Sequence, residues 1–256
     1  MNLLQKTNWI VKWIKRYAQA NKQKALIIGI SGGIDSALTS TLCAQTNLKT
    51  ILVSLPIHQN KPELKNAQNH INWLCENYDN IHPVTIELSS LFNTYKSIIP
   101  TQFHSNLGFA NTKSRIRMMT LYQIASKENG LVVGTGNKIE DFGIGFFTKY
   151  GDGGVDISPI ADLTKTEVSE LARFCNINND ILTAPPTDGL WEEEKTDEEQ
   201  IGASYEELEW AMNNKTTTNL SARQTEVFKI YNDFNTKNKH KMNPIPICII
   251  PTSTIS

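Results

Sequence analysis

ALIIGISGGIDS, residues 25–36, joins an apolar run to a glycine pair and then to the start of a helix. The run is short, rich in branched residues and free of charge. It stops abruptly at the glycines, as a strand buried on both faces does. Two glycines allow positive φ and let the backbone approach a ligand closely. The N–H groups that open the next helix, Ile34 to Gln45, have no partners within it. They point at one spot, and with the helix dipole they form an anion site. Ser31 and Ser36 add hydroxyl donors. Asp35 does not belong in a bare anion cradle, because its charge repels the anion. It fits if it holds a magnesium ion that bridges to phosphates. The Gly-Lys-Ser/Thr ending of a Walker A loop is absent. The alternative is a Gly-Ser turn with an N-capping aspartate.

Outward from this stretch, strand and helix signals alternate. TILVSL (50–55), HPVTIEL (82–88) and LVVGT (131–135) read as strands. LKNAQNHINWLCENY (64–78) has helical spacing through Leu64, Ala67, Ile71 and Leu74. SRIRMMTLYQIASKEN (114–129) is a helix ended by Gly130. Another begins at Thr164 or Thr166 and runs through TEVSELARFCN. Such alternation implies βαβ units. The expected fold is a Rossmann-like, doubly wound α/β fold. Its mostly parallel sheet has about five strands, with helices on both faces, and residues 1–256 form one domain. Ligands in such sheets bind beyond the carboxyl ends of the strands. Ser31, Thr135 and the region around Asp152 fall there.

The chain of 256 residues is long enough to bury a sizeable core without staples. A net charge of −1 gives no positive field to recruit nucleic acid or an anionic membrane. Cys43, Cys75, Cys175 and Cys248 are too scattered for a metal or redox pair, and fit reduced thiols in the cytoplasm. No apolar run approaches the roughly 20 residues of a membrane span. MNLLQKTNWIVKWIKRY reads as no signal peptide. Trp9, Ile10, Trp13, Ile14, Tyr17 and Ala18 make one face of an N-terminal helix. The apolar tail PIPICIIPTSTIS (244–256) is expected to pack as an extended segment. WEEEKTDEEQ (191–200) reads as a solvated loop or helix start, and as a lid if the site must exclude water.

SGGIDS resembles the pyrophosphate loop of the N-type ATP pyrophosphatases. LVVGTGNKIEDFGIGFFTKYGDGGVD (131–156), SPIADLTKTEV (158–168), APPTDGL (184–190) and His240-Lys241 narrow the resemblance to the NAD synthetase family. It covers almost the whole chain. It implies a carbon–nitrogen ligase that consumes ATP, deamido-NAD and ammonia, gives NAD, AMP and pyrophosphate through a nicotinate adenylate, and works as a homodimer. No glutaminase domain is implied. By the same resemblance Ser31, Gly32, Gly33, Ile34, Asp35, Ser36, Ala37 and Leu38 bind ATP phosphates. Thr135, Lys165 and Thr187 also contact ATP. Asp35 and Glu140 bind magnesium. Arg115, Lys149, Asp156, His240 and Lys241 contact deamido-NAD, and Asp152 lies beside the reacting carboxylate. Asp152 and Lys165 are the expected catalytic pair.

Two features depart from the family pattern. Ser54-Leu55-Pro56 stands where many members have an arginine before Leu-Pro. One extra residue separates Glu140 from GFFTK, which leaves Asp141 as an alternative metal ligand. Arg117, near Arg115, is either a ligand contact or structural. Two competing readings remain. A tRNA-modifying pyrophosphatase needs a basic surface or a sulfur-handling cysteine pair, and neither is present. A nucleotide-binding module without catalysis would not need Asp35, Glu140, Lys149 and Lys165 together.

Overall fold

A computed structural model describes residues 1–187, 196–216 and 218–250. Its centre is β1 (Ala25–Gly29), the apolar run read from the sequence. β2 (Lys49–Ser54) pairs with it on one side and β4 (Gly130–Val132) on the other, both parallel. β3 (Ile81–Thr85) pairs in parallel with β2, giving the order β3-β2-β1-β4. The sheet therefore has four strands where about five are expected. The fifth position is reduced to one parallel bridge, Val133 to Ile157.

Period-2 geometry sends alternate residues of β1 to opposite layers. Leu26 and Ile28 pack with α1 (Leu3–Ala20), α2 (Ile34–Ala44), α3 (Lys61–Asn77) and α6 (Lys165–Phe174). Ala25 and Ile27 face the other way, towards α4 (Ser89–Ile98) and α5 (Asn106–Glu128). Helices thus cover both faces, as the apolar strands require.

The chain reverses its winding at β1: β2 and β3 build to one side and β4 to the other. The crevice between the ends of β1 and β4 is the topological switch point, where open α/β sheets bind ligands. The glycine loop and Thr135 both open into it.

A third cluster lies beyond that crevice and has no counterpart in the sequence reading. After the short α7 (Asn179–Leu182) come α8 (Asp197–Ile201), α9 (Tyr205–Asn213) and α10 (Ala222–Met242). Their apolar faces bury Ile139, Ile144, Tyr205, Leu208 and Val227 together. Of the acidic stretch 191–200, residues 191–195 lie outside the described residues. Its end opens α8, with Thr196 and Glu199 forming a capping box.

Two expectations need correction. The N-terminal face divides: Ile10, Ile14 and Ala18 enter the core, whereas Trp9 is 63% exposed and Trp13 and Tyr17 stack on each other outside it. A 100° turn per residue separates the two rows, so one wide stripe serves two environments. The tail does not pack as far as Ile250. Ile245, Ile247, Ile249 and Ile250 are all exposed, because Pro244 and Pro246 deny backbone donors to any ladder with the chain's own sheet.

α2, which the glycine loop opens, is keyed to α3 by a buried histidine. His70 Nε2 lies 2.9 Å from Ser40 Oγ, and the ring stacks on Trp73. Burial pushes its imidazole down to about 4. The unfolded chain therefore binds this proton more readily than the folded chain between the ordinary value of 6.5 and about 4. Stability is lost as pH falls through that window. Urea midpoints should drop between about pH 7 and pH 4.5 for the wild type, and drop less for His70→Gln. Equal drops would show that His70 does not carry the acid sensitivity.

Candidate functional site

The glycine loop is a folded object in its own right. Gly32 has φ +94°, and an added Cβ would stand 2.5 Å from the Glu63 carbonyl oxygen, so only glycine fits. Gly33 N–H donates to Ser31 Oγ at 3.2 Å, and Ser36 Oγ donates to Gly33 O at 2.9 Å. Gly33 is also the N-cap of α2 and supplies no side-chain cap. The first amides of α2 therefore stay available to an anion in the crevice. Ser31 to Ser36 line that crevice. Ala37 and Leu38, expected with them, are turned into the core and do not line it.

The second component is a π-helical turn, Lys138–Ile144. It absorbs the extra residue counted before GFFTK, since a π turn is an α turn with one residue inserted. Asn137, fully buried, caps its start by accepting from Ile139 N–H and Glu140 N–H, both at 3.1 Å. Gly145 closes it in the left-handed region, and α10 holds its last carbonyls: Asn235 donates to Gly143 O and Asn238 to Ile144 O. The turn thereby aims both Glu140 and Asp141 at the crevice. Asp141 packs against Gly136, where any Cβ would overlap its carboxylate. Burial, with Glu140, Asp152 and Asp35 nearby, pushes its carboxyl up to about 8.

The third component is Lys165, the first residue of α6. Thr164 and Glu167 form the capping box that starts this helix, and Lys6 of α1 pairs with Glu167 at 2.6 Å. Lys165 Nζ lies 2.5 Å from Asp35 Oδ2 and 3.0 Å from Glu140 Oε1. Asn137 Nδ2 donates to Asp35 Oδ1 at 3.1 Å. Tyr205 OH donates to Glu140 Oε1 at 2.6 Å, and the Lys165 ammonium sits 4.8 Å from the centre of the Tyr205 ring. Burial disfavours the Lys165 charge, yet Asp35 and Glu140 outweigh it and hold the ammonium protonated well above the ordinary range. Burial also opposes the charge on Glu140, but Lys165, Tyr205 and Asn137 keep it below the usual carboxylate value.

Asn137 and Tyr205 are absent from the sequence-derived set. Asn137 sits inside the GTGN run and was legible there as a helix cap. Tyr205 had no local signal, because its role comes from packing α9 against the π turn.

The remaining expected residues fall around the same cleft of about 1170 Å³. Asp152 Oδ1 accepts from Ser114 Oγ at 2.7 Å and Thr148 N–H at 3.0 Å. Loss of solvation raises its carboxyl, against these hydrogen bonds. Arg115 donates to Lys149 O, Lys149 Nζ to His240 O, and Lys241 Nζ to Phe147 O. Thr187 Oγ1 donates to Glu63 Oε1 at 2.8 Å on the opposite wall. Asp156 stands apart. It accepts from Val132 N–H and Tyr122 OH at the end of β4 and does not line the cleft. Arg117 Nε donates to Leu55 O, beside the Ser54 position where the family arginine is missing. Among the described residues no group of three His, Cys, Asp or Glu side chains is placed to hold a metal, so the acidic pair is the strongest donor set.

The chain is similar to known proteins over most of its length. The model of the NAD synthase family matches residues 6–245. The chain is 39% identical over 215 residues to an NH(3)-dependent NAD(+) synthetase of Carboxydothermus hydrogenoformans, covering 82% of this chain and 85% of that one. It is 38% identical over 210 residues to that of Sulfurisphaera tokodaii, covering 80% and 71%. Among solved structures, an NMN synthetase from Francisella tularensis superposes with a TM-score of 0.87 at 29% identity, over 99% of this chain and 100% of that one. An NH3-dependent NAD synthetase from Campylobacter jejuni superposes at 0.78 with 25% identity, over 97% and 100%.

Proposed function

Since this chain belongs to the NAD synthase family, we propose that it is an ammonia-dependent NAD synthetase, a ligase that uses ATP to convert the nicotinate carboxylate of deamido-NAD into the amide. The observation that carries this reading is the meeting of the SGGIDS loop, Asp35, Glu140 and Lys165 at one point, with Asp152 across the cleft.

A carboxylate resists ammonia, because its charge repels nucleophiles and oxide leaves poorly. Activation solves this. The carboxylate oxygen bonds to the α-phosphorus of ATP as the bond to pyrophosphate breaks. Ammonia then bonds to the acyl carbon, AMP leaves with the former carboxylate oxygen, and the nitrogen gives up a proton. The amides of Ile34 to Ser36 and the Ser31 and Ser36 hydroxyls hold the departing pyrophosphate. We assign that proton to Asp152, whose carboxylate accepts from Ser114 and Thr148. Arg115, Lys149, His240 and Lys241 match the charge of the dinucleotide. Thr135 and Thr187 contact ATP.

Asp35 and Glu140 fit a magnesium ion. They are hard oxygen donors, and a cation, the Lys165 ammonium, already sits between them. Bound there with phosphate oxygens and water, magnesium would offset the charge of the triphosphate. All four cysteines are free, and no helix among the described residues is long and apolar enough to cross a membrane. The free cysteines fit a reducing compartment, and the proposed enzyme is a cytoplasmic synthetase unit that uses free ammonia.

One observation favours a second reading of the substrate: the solved structure with a TM-score of 0.87 is named an NMN synthetase. On that reading the acceptor is the nicotinate mononucleotide. The curated NH(3)-dependent NAD(+) synthetases, at 39% and 38% identity, favour the dinucleotide, while among the solved structures the NMN synthetase at 29% exceeds the Campylobacter jejuni NAD synthetase at 25%.

The functional unit is proposed to be a homodimer. Ile98, Phe103 and Leu107 form an exposed apolar band on and between α4 and α5, and Leu107 also lines the cleft. Such a band needs cover, as do Trp9 and Trp13 on α1. Sedimentation equilibrium should return twice the chain mass; a fully active monomer would reject the dimer.

With deamido-NAD labelled by heavy oxygen in its carboxylate, one labelled oxygen should appear in AMP and none in pyrophosphate. Asp35→Ala and Glu140→Ala should stop turnover and keep the fold. Label in pyrophosphate would reject the adenylate route. Turnover of nicotinate mononucleotide in preference to deamido-NAD would select the second reading.

A further inference from the structure

The Asp35–Glu140 pair is a seat for one cation. Asp35 Oδ1 is taken by Asn137, and Glu140 Oε1 is shared by Tyr205 OH and Lys165. The Lys165 ammonium fills the gap between the two carboxylates, at 2.5 and 3.0 Å. A divalent cation held by the same oxygens would stand within contact distance of that ammonium. Coulomb repulsion between them in a poorly solvated pocket is large. The two cations cannot share the seat.

We propose that Lys165 and the divalent metal are alternative occupants of the Asp35–Glu140 seat, so that metal binding expels the Lys165 ammonium into the cleft, where it becomes a phosphate ligand. The proposal rests on the reading of Asp35 and Glu140 as metal ligands and adds what that reading does not contain. The lysine blocks the metal site in the resting chain, and metal entry is the event that arms it.

The local architecture suits such an exchange. Lys165 is the first residue of α6, so its backbone is fixed by the Thr164–Glu167 box, while its flexible four-carbon stem can carry the ammonium to a second position. The seat itself does not depend on the lysine. Asn137 holds Asp35 from the buried cap of the π turn, and Tyr205 holds Glu140 from α9. The Tyr205 ring, 4.8 Å from the ammonium, gives the departing charge a π face to slide across. The glycine-loop amides and the Ser31 and Ser36 hydroxyls line the same cleft, so an expelled ammonium meets the anion site.

A consequence is coupling. In the absence of nucleotide the metal must displace a well-paired ammonium, and its apparent affinity falls by the fraction of chains in which the seat is open. When a triphosphate is present, the ammonium gains a new partner and metal binding becomes easier. Metal and nucleotide therefore reinforce each other through Lys165, in addition to any phosphate oxygen the metal itself binds.

The test uses manganese alone, with the whole protein and no nucleotide. Bound manganese is read by electron paramagnetic resonance on the wild type and on Lys165→Met. The variant should bind about tenfold more tightly or better, as expected if the seat is open in one chain in ten or fewer. Equal or weaker binding by a folded Lys165→Met overturns the exchange. A second measurement needs no variant. Trace acetylation with acetic anhydride, read by peptide mass spectrometry, should label Lys165 slowly in the resting protein and faster once manganese is added. Unchanged or slower labelling at saturating manganese means that lysine and metal sit together, and overturns the proposal. Asp35→Ala separates the two levels. If manganese binding to that variant in the presence of ATP equals wild type, the metal-ligand reading itself fails. If it is lost while manganese leaves Lys165 labelling in the wild type unchanged, only the exchange fails.

Discussion

The Lys165 ammonium, held between Asp35 and Glu140, joins charged groups from three helical starts at the mouth of the cleft. Asp35 comes from the first turn of α2, Glu140 from the π turn after β4, and Lys165 from the first turn of α6. Each belongs to a helical start, where side chains can be aimed along the helix axis into the crevice. Buried charges of this kind persist only when paired and further hydrogen-bonded. Asn137 and Tyr205 supply those further bonds. The cluster therefore fixes the separation of the sheet from the helical cap formed by α8, α9 and α10.

The sheet provides the frame for that meeting. Winding reverses at β1, so the glycine loop and the Gly134–Gly136 segment leave the sheet side by side. A two-substrate reaction needs both ligands at one point with water excluded, and a cleft between sheet and cap gives two opposing walls. The phosphate loop and Thr135 stand on the sheet wall. Phe234, Asn238 and Lys241 of α10 stand on the other.

Much of this was legible in the residues. ALIIGI announced β1, because only a strand covered on both faces is so short and so uniformly apolar. SGGIDS announced a glycine loop that opens a helix, and α2 does begin there at Gly33 with no side-chain cap. Four strands were foreseen at nearly their observed places. What could not be read depends on distant packing. The π turn appears in sequence only as an odd residue of spacing. Tyr205 lies in a polar helix whose partner is 65 positions earlier in the chain. The N-terminal stripe shows apolar residues but not which row is buried. The tail looked like a packing segment because apolar composition says nothing about an available groove. Asp156 illustrates another limit: its carboxylate is tied to the end of β4, outside the cleft.

The claim that one ammonium joins these three elements has a direct thermodynamic measure. In a cycle of Asp35→Asn, Glu140→Gln and the double variant, unfolding by urea reports how the two carboxylates share Lys165. Each single variant leaves the ammonium one partner. The double variant leaves it no ionised partner in the seat, and an uncompensated buried charge costs about 3–5 kcal/mol. The double loss should therefore exceed the sum of the single losses. Additive losses within about 0.5 kcal/mol would mean that the two carboxylates act independently, and would contradict the account.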